Sequence, residues 1–287
     1  MQIVERNKMD TERWDALVRK NNGSFFSLSC YLDQLAENWC VLVDENYQKG
    51  MALPYLNRLG QQMIYTPVFY RYAELFNFQL EEKEYKLLEK RFKFANLLVD
   101  KSEENSRFLF QTISENYELN ERSKRMIKKF DKSTLEMKTI DDVDLLWGFV
   151  NEHLRPKIDS LNQKSMGNLL KLLHSLKQNG LLKVIAVFEG NSLQGGAFFV
   201  ENDQHVLYLK SAFSEEAKKS GAMYKIVGDQ IKWAVDMQRT FDFGGSRAEN
   251  VRNFNLNFGA KDVYYSMMNW NNLPFWMKVV LKLKDRS

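Results

Sequence analysis

The chain has 287 residues, of which 44% are hydrophobic and 27% are charged. A domain takes about 100–200 residues, so this length predicts two domains, and the composition is typical of a well-packed globular protein. No uncharged apolar run approaches the ~20 residues that span a bilayer, and the charged start of the chain lacks the apolar segment of a signal peptide. We therefore expect a cytoplasmic protein.

The two cysteines and three histidines are scattered along the chain. They form neither a disulfide framework nor a group with metal-ligand spacing, so we expect no metal cofactor.

The net charge of +4 is local. Residues 121–132 hold six basic and two acidic side chains, so the rest of the chain is neutral on balance. Such a segment is either a solvated helix face or a surface for phosphate groups.

Apolar spacing predicts the elements of the first half. The predicted helices are 11–20, 28–37 and 81–91. The predicted strands are 39–43, 51–56, 62–68 and 94–99. Polar turns separate the strands, as in a meander of neighbouring strands.

The second half follows a clearer pattern of the same kind. The predicted strands are 135–139, 182–188, 195–200, 205–213, 240–243 and 263–269. The predicted helices are 141–154, 164–178, 221–238 and 249–257. Short polar turns between the second, third and fourth of these strands indicate antiparallel hairpins.

Four segments between residues 205 and 264 carry a family resemblance. They are Tyr208–Ala212, Gly221–Tyr224, Phe241–Ser246 with its Asp-Phe-Gly-Gly-Ser sequence, and Asn253–Ala260 with its Phe-x-x-x-Phe-Gly sequence. In this order they resemble the C-terminal domain of the FemABX acyl- and aminoacyltransferases and their acetyltransferase-like relatives of the GNAT superfamily. Tyr65–Tyr70 and Arg122–Lys132 resemble further segments of the same family.

The resemblance implies an α+β fold of two tandem GNAT-like domains, each a mixed, mostly antiparallel sheet flanked by helices. We place the first domain at 1–118 and the second, with the active site, at 119–287. The implied activity is N-acyl transfer, from acyl-CoA, such as acetyl-CoA, or from aminoacyl-tRNA, to a small-molecule or cell-envelope amine. Because no Ser/His/Asp or Cys/His arrangement is visible, we expect direct, non-covalent transfer.

Two departures leave the donor open. Asn255 stands where peptidyl-transferring members carry a lysine that could stabilise an oxyanion. Residues 217–222, AKKSGA, do not match the pyrophosphate loop of CoA-dependent enzymes. A non-catalytic binding module with the same fold is the alternative.

By resemblance, the donor lies along one strand and the turn after it. The predicted donor-binding residues are Leu209, Lys210, Ser211, Lys218, Lys219, Ser220, Gly221 and Ala222. Free N–H groups at the helix start would bind phosphate, with added charge from the two turn lysines. The alternative is a solvated helix entry.

Three residues are candidates for proton transfer. Asp242 would orient the acceptor amine or act as a base, and Tyr208 and Tyr224 would donate a proton to the leaving group. The structural alternatives are a capped turn in which Gly244 and Gly245 adopt positive φ, and tyrosines that are half-buried in strand and helix.

The acceptor side is predicted from the remaining resemblance. The candidate residues are Tyr65, Tyr70, Arg122, Arg125, Lys129, Gly244, Gly245, Ser246 and Asn255. The three basic residues lie along one face of a helix and would bind phosphates. The basic, apolar tail 273–286 either packs on the body of the protein or lies on a membrane surface.

Overall fold

The computed structural model describes residues 1–101, 108–154, 163–245 and 249–278. The backbone divides into two compact units. Unit 1 comprises Met1–Ser106 and Tyr265–Ser287, and unit 2 comprises Arg107–Tyr264.

Unit 1 is a sheet with helices beside it. Its helices are α1 (Thr11–Lys20), α2 (Ser29–Leu35) and α3 (Glu82–Arg91). Its strands are β1 (Gln2–Glu5), β2 (Asn38–Val43), β3 (Gly50–Arg58), β4 (Gln61–Tyr65), β5 (Phe94–Lys101) and the end of β12 (Lys261–Asn271). The strand order is β1-β2-β3-β4-β5-β12, and every neighbouring pair is antiparallel except β4 and β5.

Unit 2 repeats this type of sheet. Its strands are β6 (Phe108–Ile113), β7 (Leu135–Ile140), β8 (Leu182–Glu189), β9 (Ser192–Glu201), β10 (His205–Phe213) and β11 (Thr240–Asp242). Its helices are α4 (Glu121–Phe130), α5 (Val143–Leu154), α6 (Gln163–Gln178), α7 (Glu215–Ser220), α8 (Ala222–Asp236) and α9 (Glu249–Leu256). The order is β6-β11-β10-β9-β8-β7, with one parallel pair, β10 and β11.

The two compact units differ from the two predicted domains at both ends. Unit 2 begins before β6, a strand that the sequence analysis did not identify. The end of β12 belongs to unit 1, because Tyr265–Asn271 pairs with β5. Strand pairing over this distance leaves no mark on local sequence, so the return of the chain was not foreseen.

The predicted elements are confirmed, with three additions and shifts of a few residues at some ends. β1, β6 and α7 were not predicted. The helix predicted over 221–238 is α8, and Gly221, with a left-handed φ of 89°, separates it from the unpredicted α7. The strand predicted to reach residue 68 ends at Tyr65, shortly before Pro67, which has no N–H for a sheet ladder.

The core of unit 2 lies where α8 packs on the sheet. Ile226, Val227 and Ile231 are fully buried on one face of α8, against Phe199 of β9 and Phe241 of β11. Burial of each such side chain contributes about 1.5–3 kcal/mol. The helical repeat of apolar residues therefore fixes which face of α8 meets the sheet.

The described ranges hold neither a membrane-spanning helix nor a cluster of metal-ligating side chains. None of their helices is both long and apolar enough to cross a membrane. The same ranges contain no group of three or more His, Cys, Asp or Glu side chains that could hold a metal ion.

Candidate functional site

The candidate site is built on the parting of two parallel strands. β10 and β11 pair through His205↔Thr240, Val206↔Phe241 and Leu207↔Asp242. β11 ends at Asp242, whereas β10 continues to Phe213. Residues 208–213 therefore have no β11 partner on that side, and we call this stretch the open edge of β10. The resemblance places the acyl donor along this edge.

A glycine turn closes the start of the open edge. Gly244 and Gly245 have φ of 80° and 65°, as the structural alternative predicted. A Cβ atom on Gly244 would lie 2.3 Å from the carbonyl oxygen of Tyr208, so only glycine fits this approach. Ser246, the next candidate residue, lies outside the described residues.

Asp242 lies at the point where the strands part. Its side chain is buried, with 7% exposed, and Oδ1 accepts a 2.9 Å hydrogen bond from the Gly244 backbone N–H. This contact is the turn cap that the sequence analysis weighed against a catalytic role. It occupies Oδ1, and a role as base stays a prediction.

The side chains of the open edge face opposite sides of the sheet. The Tyr208 ring stacks on Phe199 at 5.4 Å, and its hydroxyl is hydrogen-bonded to the Ser211 hydroxyl. Burial raises the pKa of Tyr208 to about 12. Leu209 lies in a register shift of the ladder, and Lys210 pairs with Phe198 on the other face. Burial lowers the pKa of Lys210. Tyr208 can thus act as a weak acid, but it does not share a face with Lys210.

Tyr224 belongs to the packed core of unit 2. It is 7% exposed, and its ring contacts Phe254 and Phe258, with centroids 5.0 and 5.7 Å away. These contacts favour the structural role that the sequence analysis set beside proton donation.

Helix α4 packs closely against the turn that was predicted to bind phosphate. A Cβ on Gly221 would lie 2.2 Å from the carbonyl oxygen of Met126 in α4, and Ala222 is fully buried. Beside them, Lys218 is paired with Glu215 at 2.6 Å. The Gly221 N–H already donates to the Lys218 carbonyl at 3.1 Å, and phosphate binding by the following N–H groups of α8 stays a prediction.

Two acidic residues precede the predicted phosphate turn in the chain. Glu215 and Glu216 occupy the first turn of α7, whose N-terminus is capped by Ser214. Among the other predicted donor residues, Lys219 is exposed and Ser220 is half-buried. These acidic side chains belong to the start of α7, whereas the predicted phosphate site lies at the start of α8, whose first turn has no acidic residue.

A buried polar network was found only in the structure. Asn255, 1% exposed, donates from Nδ2 to Gln111 Oε1 at 3.0 Å. Gln111 donates from Nε2 to Asp262 Oδ1 at 2.9 Å, and Arg252 Nε donates to the same oxygen at 3.2 Å. One signal was visible in the sequence: Gln111 interrupts the apolar run FLFQTI of β6. Asn255 therefore helps to lock α9 to the sheet of unit 2.

The Arg252–Asp262 pair predicts a pH dependence of stability. The Arg252 guanidinium holds the pKa of Asp262 below its usual range. A carboxyl whose pKa is lowered on folding stabilises the fold above its unfolded pKa, about 3.9, and this stabilisation is lost as pH falls through the lower, folded pKa. We expect Asp262→Asn to reduce the free energy of unfolding at pH 7 and to flatten its fall below about pH 4.

Urea unfolding at a series of pH values measures this effect. Glu115→Gln is the control, because Glu115 is exposed and makes no ion pair among the described residues. The prediction would be contradicted if the free energy of unfolding fell equally steeply below about pH 4 in Asp262→Asn and in the wild type.

The basic helix α4 presents a row of unpaired cations. Arg122, Arg125, Lys129 and Lys132 are exposed and follow one another at intervals of three or four residues. Neither these four nor Lys128 has an ion-pair partner among the described residues, whereas Lys124 pairs with Glu121. We call these five the α4 cation row. All of them except Arg122 border a groove of about 490 Å³, together with Glu121 and Lys124.

The two remaining candidates, Tyr65 and Tyr70, belong to unit 1. The Tyr65 hydroxyl accepts a 2.9 Å hydrogen bond from the Glu37 N–H. The Tyr70 hydroxyl is buried and has no hydrogen-bond partner among the described residues, and burial raises its pKa well above 10. Tyr65 is therefore held by a backbone hydrogen bond and Tyr70 by burial. A role of either residue in binding an acceptor stays a prediction.

This chain is similar to known proteins in its structure and not in its sequence. No protein-family model and no curated protein matches the sequence. Among solved structures, FemX is similar over 97% of this chain and 100% of its own, with a TM-score of 0.69 and 11% identity. A C-terminal domain assigned as a lysylphosphatidylglycerol synthetase, from Agrobacterium fabrum, is similar over 95% of both chains, with a TM-score of 0.60 and 10% identity.

A third similar structure is described by its name as a protein of tandem GNAT domains. It is a tandem GNAT protein from the clavulanic acid biosynthesis pathway, similar over 95% of this chain and 99% of its own, with a TM-score of 0.51 and 7% identity. Identities this low bear on the fold and not on the activity. The chain therefore has the α+β fold of FemX and the tandem GNAT proteins, as the motifs of unit 2 predicted.

Proposed function

We propose that the protein is an N-acyltransferase that moves an acyl or aminoacyl group directly from its donor to an amine. The observation that carries the proposal is the open edge of β10, which begins where β11 ends at Asp242. Backbone groups of this edge beyond the end of β11 would hold the donor and polarise its carbonyl.

The proposed transfer uses Asp242 and Tyr208, which lie where the strands part, on opposite faces of the sheet. The acceptor nitrogen attacks the carbonyl carbon, a C–N bond forms, and the bond to the donor oxygen or sulfur breaks. Asp242 would take the proton from the amine, and the Tyr208 hydroxyl would give a proton to the leaving group. The pKa of about 12 keeps Tyr208 protonated at neutral pH, as an acid must be.

Of the two donors, aminoacyl-tRNA has the better support. Residues 217–222 do not match the pyrophosphate loop of CoA-dependent enzymes, and the Gly221 N–H already donates to the Lys218 carbonyl. The α4 cation row instead offers charges about 5–6 Å apart to a polyanion. The name of one structural neighbour, lysylphosphatidylglycerol synthetase, denotes an aminoacylated product. An amine of a cell-envelope precursor is the acceptor that the resemblance favours.

Transfer assays test the donor and the activity together. Purified protein is incubated with radiolabelled aminoacyl-tRNA, or with acetyl-CoA, and a panel of envelope precursors and small amines. We expect label to move from tRNA to an amine. Transfer from acetyl-CoA alone would reverse the donor assignment, and no transfer from either donor would favour the non-catalytic binding module.

The α4 cation row gives a separate prediction on RNA binding. The double variant Arg125→Glu with Lys129→Glu should bind tRNA at least about tenfold more weakly in low salt, with the slope of log K against log salt reduced by about 2. Fluorescence anisotropy with labelled tRNA measures both quantities.

Lys83→Glu with Lys86→Glu on α3 is the matched control. Both side chains are 74% exposed, and they belong to unit 1. If the two double variants weaken binding equally, the effect is general charge and the α4 cation row has no special role.

A further inference from the structure

The C-terminal part of unit 1 carries two large exposed aromatic side chains next to each other. Phe275 is 83% exposed and Trp276 is 55% exposed. Aromatic residues bury about 150–250 Å² each when they are covered, so this pair leaves an unusual apolar area in water. We call Phe275 and Trp276 the aromatic pair.

The aromatic pair is held in place from behind. Residues 275–278 form a helical turn, with Met277 and Lys278 donating from their N–H groups to the Pro274 carbonyl. Leu273 and Met277, on the inner side of the turn, are 4% and 0% exposed and pack with Met63 of β4. Because the inner side is anchored, the aromatic pair projects outward.

Basic residues follow the aromatic pair along the chain. Lys278, two residues after Trp276, donates from Nζ to the Asn271 carbonyl at 3.0 Å. The sequence then continues VVLKLKDRS, with three basic residues and one acidic residue. The segment that carries the aromatic pair is therefore basic as well as apolar in sequence.

We propose that the aromatic pair and the adjacent Lys278 form a docking surface for the face of an anionic lipid bilayer. Phe and Trp side chains enter the boundary between headgroups and acyl chains, and lysines attract anionic headgroups. One apolar signal gives weak binding, and apolar plus basic signals together give stable binding.

A second protein chain fits this surface less well. Full burial of the aromatic pair would cover about 300–500 Å², whereas stable protein–protein interfaces bury about 1,200–2,000 Å². A bilayer needs no such area, because it adapts to a small projecting group and adds electrostatic attraction.

Vesicle flotation tests the proposal on the full chain. The vesicles contain phosphatidylcholine alone or with about one third phosphatidylglycerol. We expect binding to the anionic vesicles, and at least about a tenfold lower partition coefficient for Phe275→Ser with Trp276→Ser. Leu145→Ser with Met237→Ser is the control, since these residues of unit 2 are 45% and 52% exposed.

Depth is measured separately with vesicles that carry brominated acyl chains. Trp276 is one of six tryptophans, so the part of the quenching that is lost in Trp276→Phe reports this residue. Quenching that is unchanged in Trp276→Phe would overturn the proposal.

Three other outcomes would also overturn it: no flotation of the wild type, equal flotation of the Phe275/Trp276 variant, or a concentration-dependent dimer without lipid that the same variant abolishes. The dimer would assign the aromatic pair to self-association. The proposal is independent of acyl transfer, because transfer from tRNA to a water-soluble amine is assayed without vesicles.

Discussion

Gly221→Ala is expected to lower the free energy of unfolding by about 2–5 kcal/mol. The left-handed φ of 89° costs an alanine about 1–2 kcal/mol. The added Cβ would also lie 2.2 Å from the Met126 carbonyl oxygen, and relief requires α4 to move at a further cost of about 1–3 kcal/mol. Neither group belongs to a flexible side chain, so the clash cannot relax locally.

Urea unfolding of Gly221→Ala and Gly180→Ala separates the two causes. Gly180 also has a positive φ, 68°, but a Cβ there would meet nothing within 4 Å. Gly180→Ala should therefore cost only the backbone term, about 1–2 kcal/mol. Equal losses in the two variants would show that the approach of α4 to Gly221 is not tight in solution.

Asp242→Asn is expected to reduce kcat for acyl transfer by about 10²–10⁴-fold while leaving the fold intact. The amide oxygen of asparagine can still accept the hydrogen bond from the Gly244 N–H, so the turn keeps its cap. The amide cannot take a proton from the acceptor amine. The free energy of unfolding should change by about 1 kcal/mol or less.

Asp242→Ala supplies the comparison that separates the two roles. It removes the cap as well as the carboxylate, and leaves the buried Gly244 N–H without this acceptor, at a cost of about 1–3 kcal/mol. Thermal unfolding and single-turnover transfer assays are made on both variants. Full activity in Asp242→Asn would restrict Asp242 to the turn, and unfolding of Asp242→Asn would make it wholly structural.

The local sequence pattern was sufficient to predict most of the strands, helices and turns of unit 2. Alternation and short polar turns predicted the antiparallel strands β8, β9 and β10, which the register confirms. The helix predicted over 221–238 is present as α8. Gly244 and Gly245 were predicted to adopt positive φ, and they do. Each of these features depends on residues that are close together in the chain.

The sequence alone therefore determined the class of fold and led to the proposed position of the site, because a hydrophobic period, a turn signal and a short motif are local properties. Tertiary structure alone decided how those segments are used. Gln111 and Asn255 meet across 144 residues, α4 closes the turn at Gly221, and β12 pairs with β5. Contacts between residues so far apart in the sequence depend on how the whole chain packs, so no local period or motif predicts them.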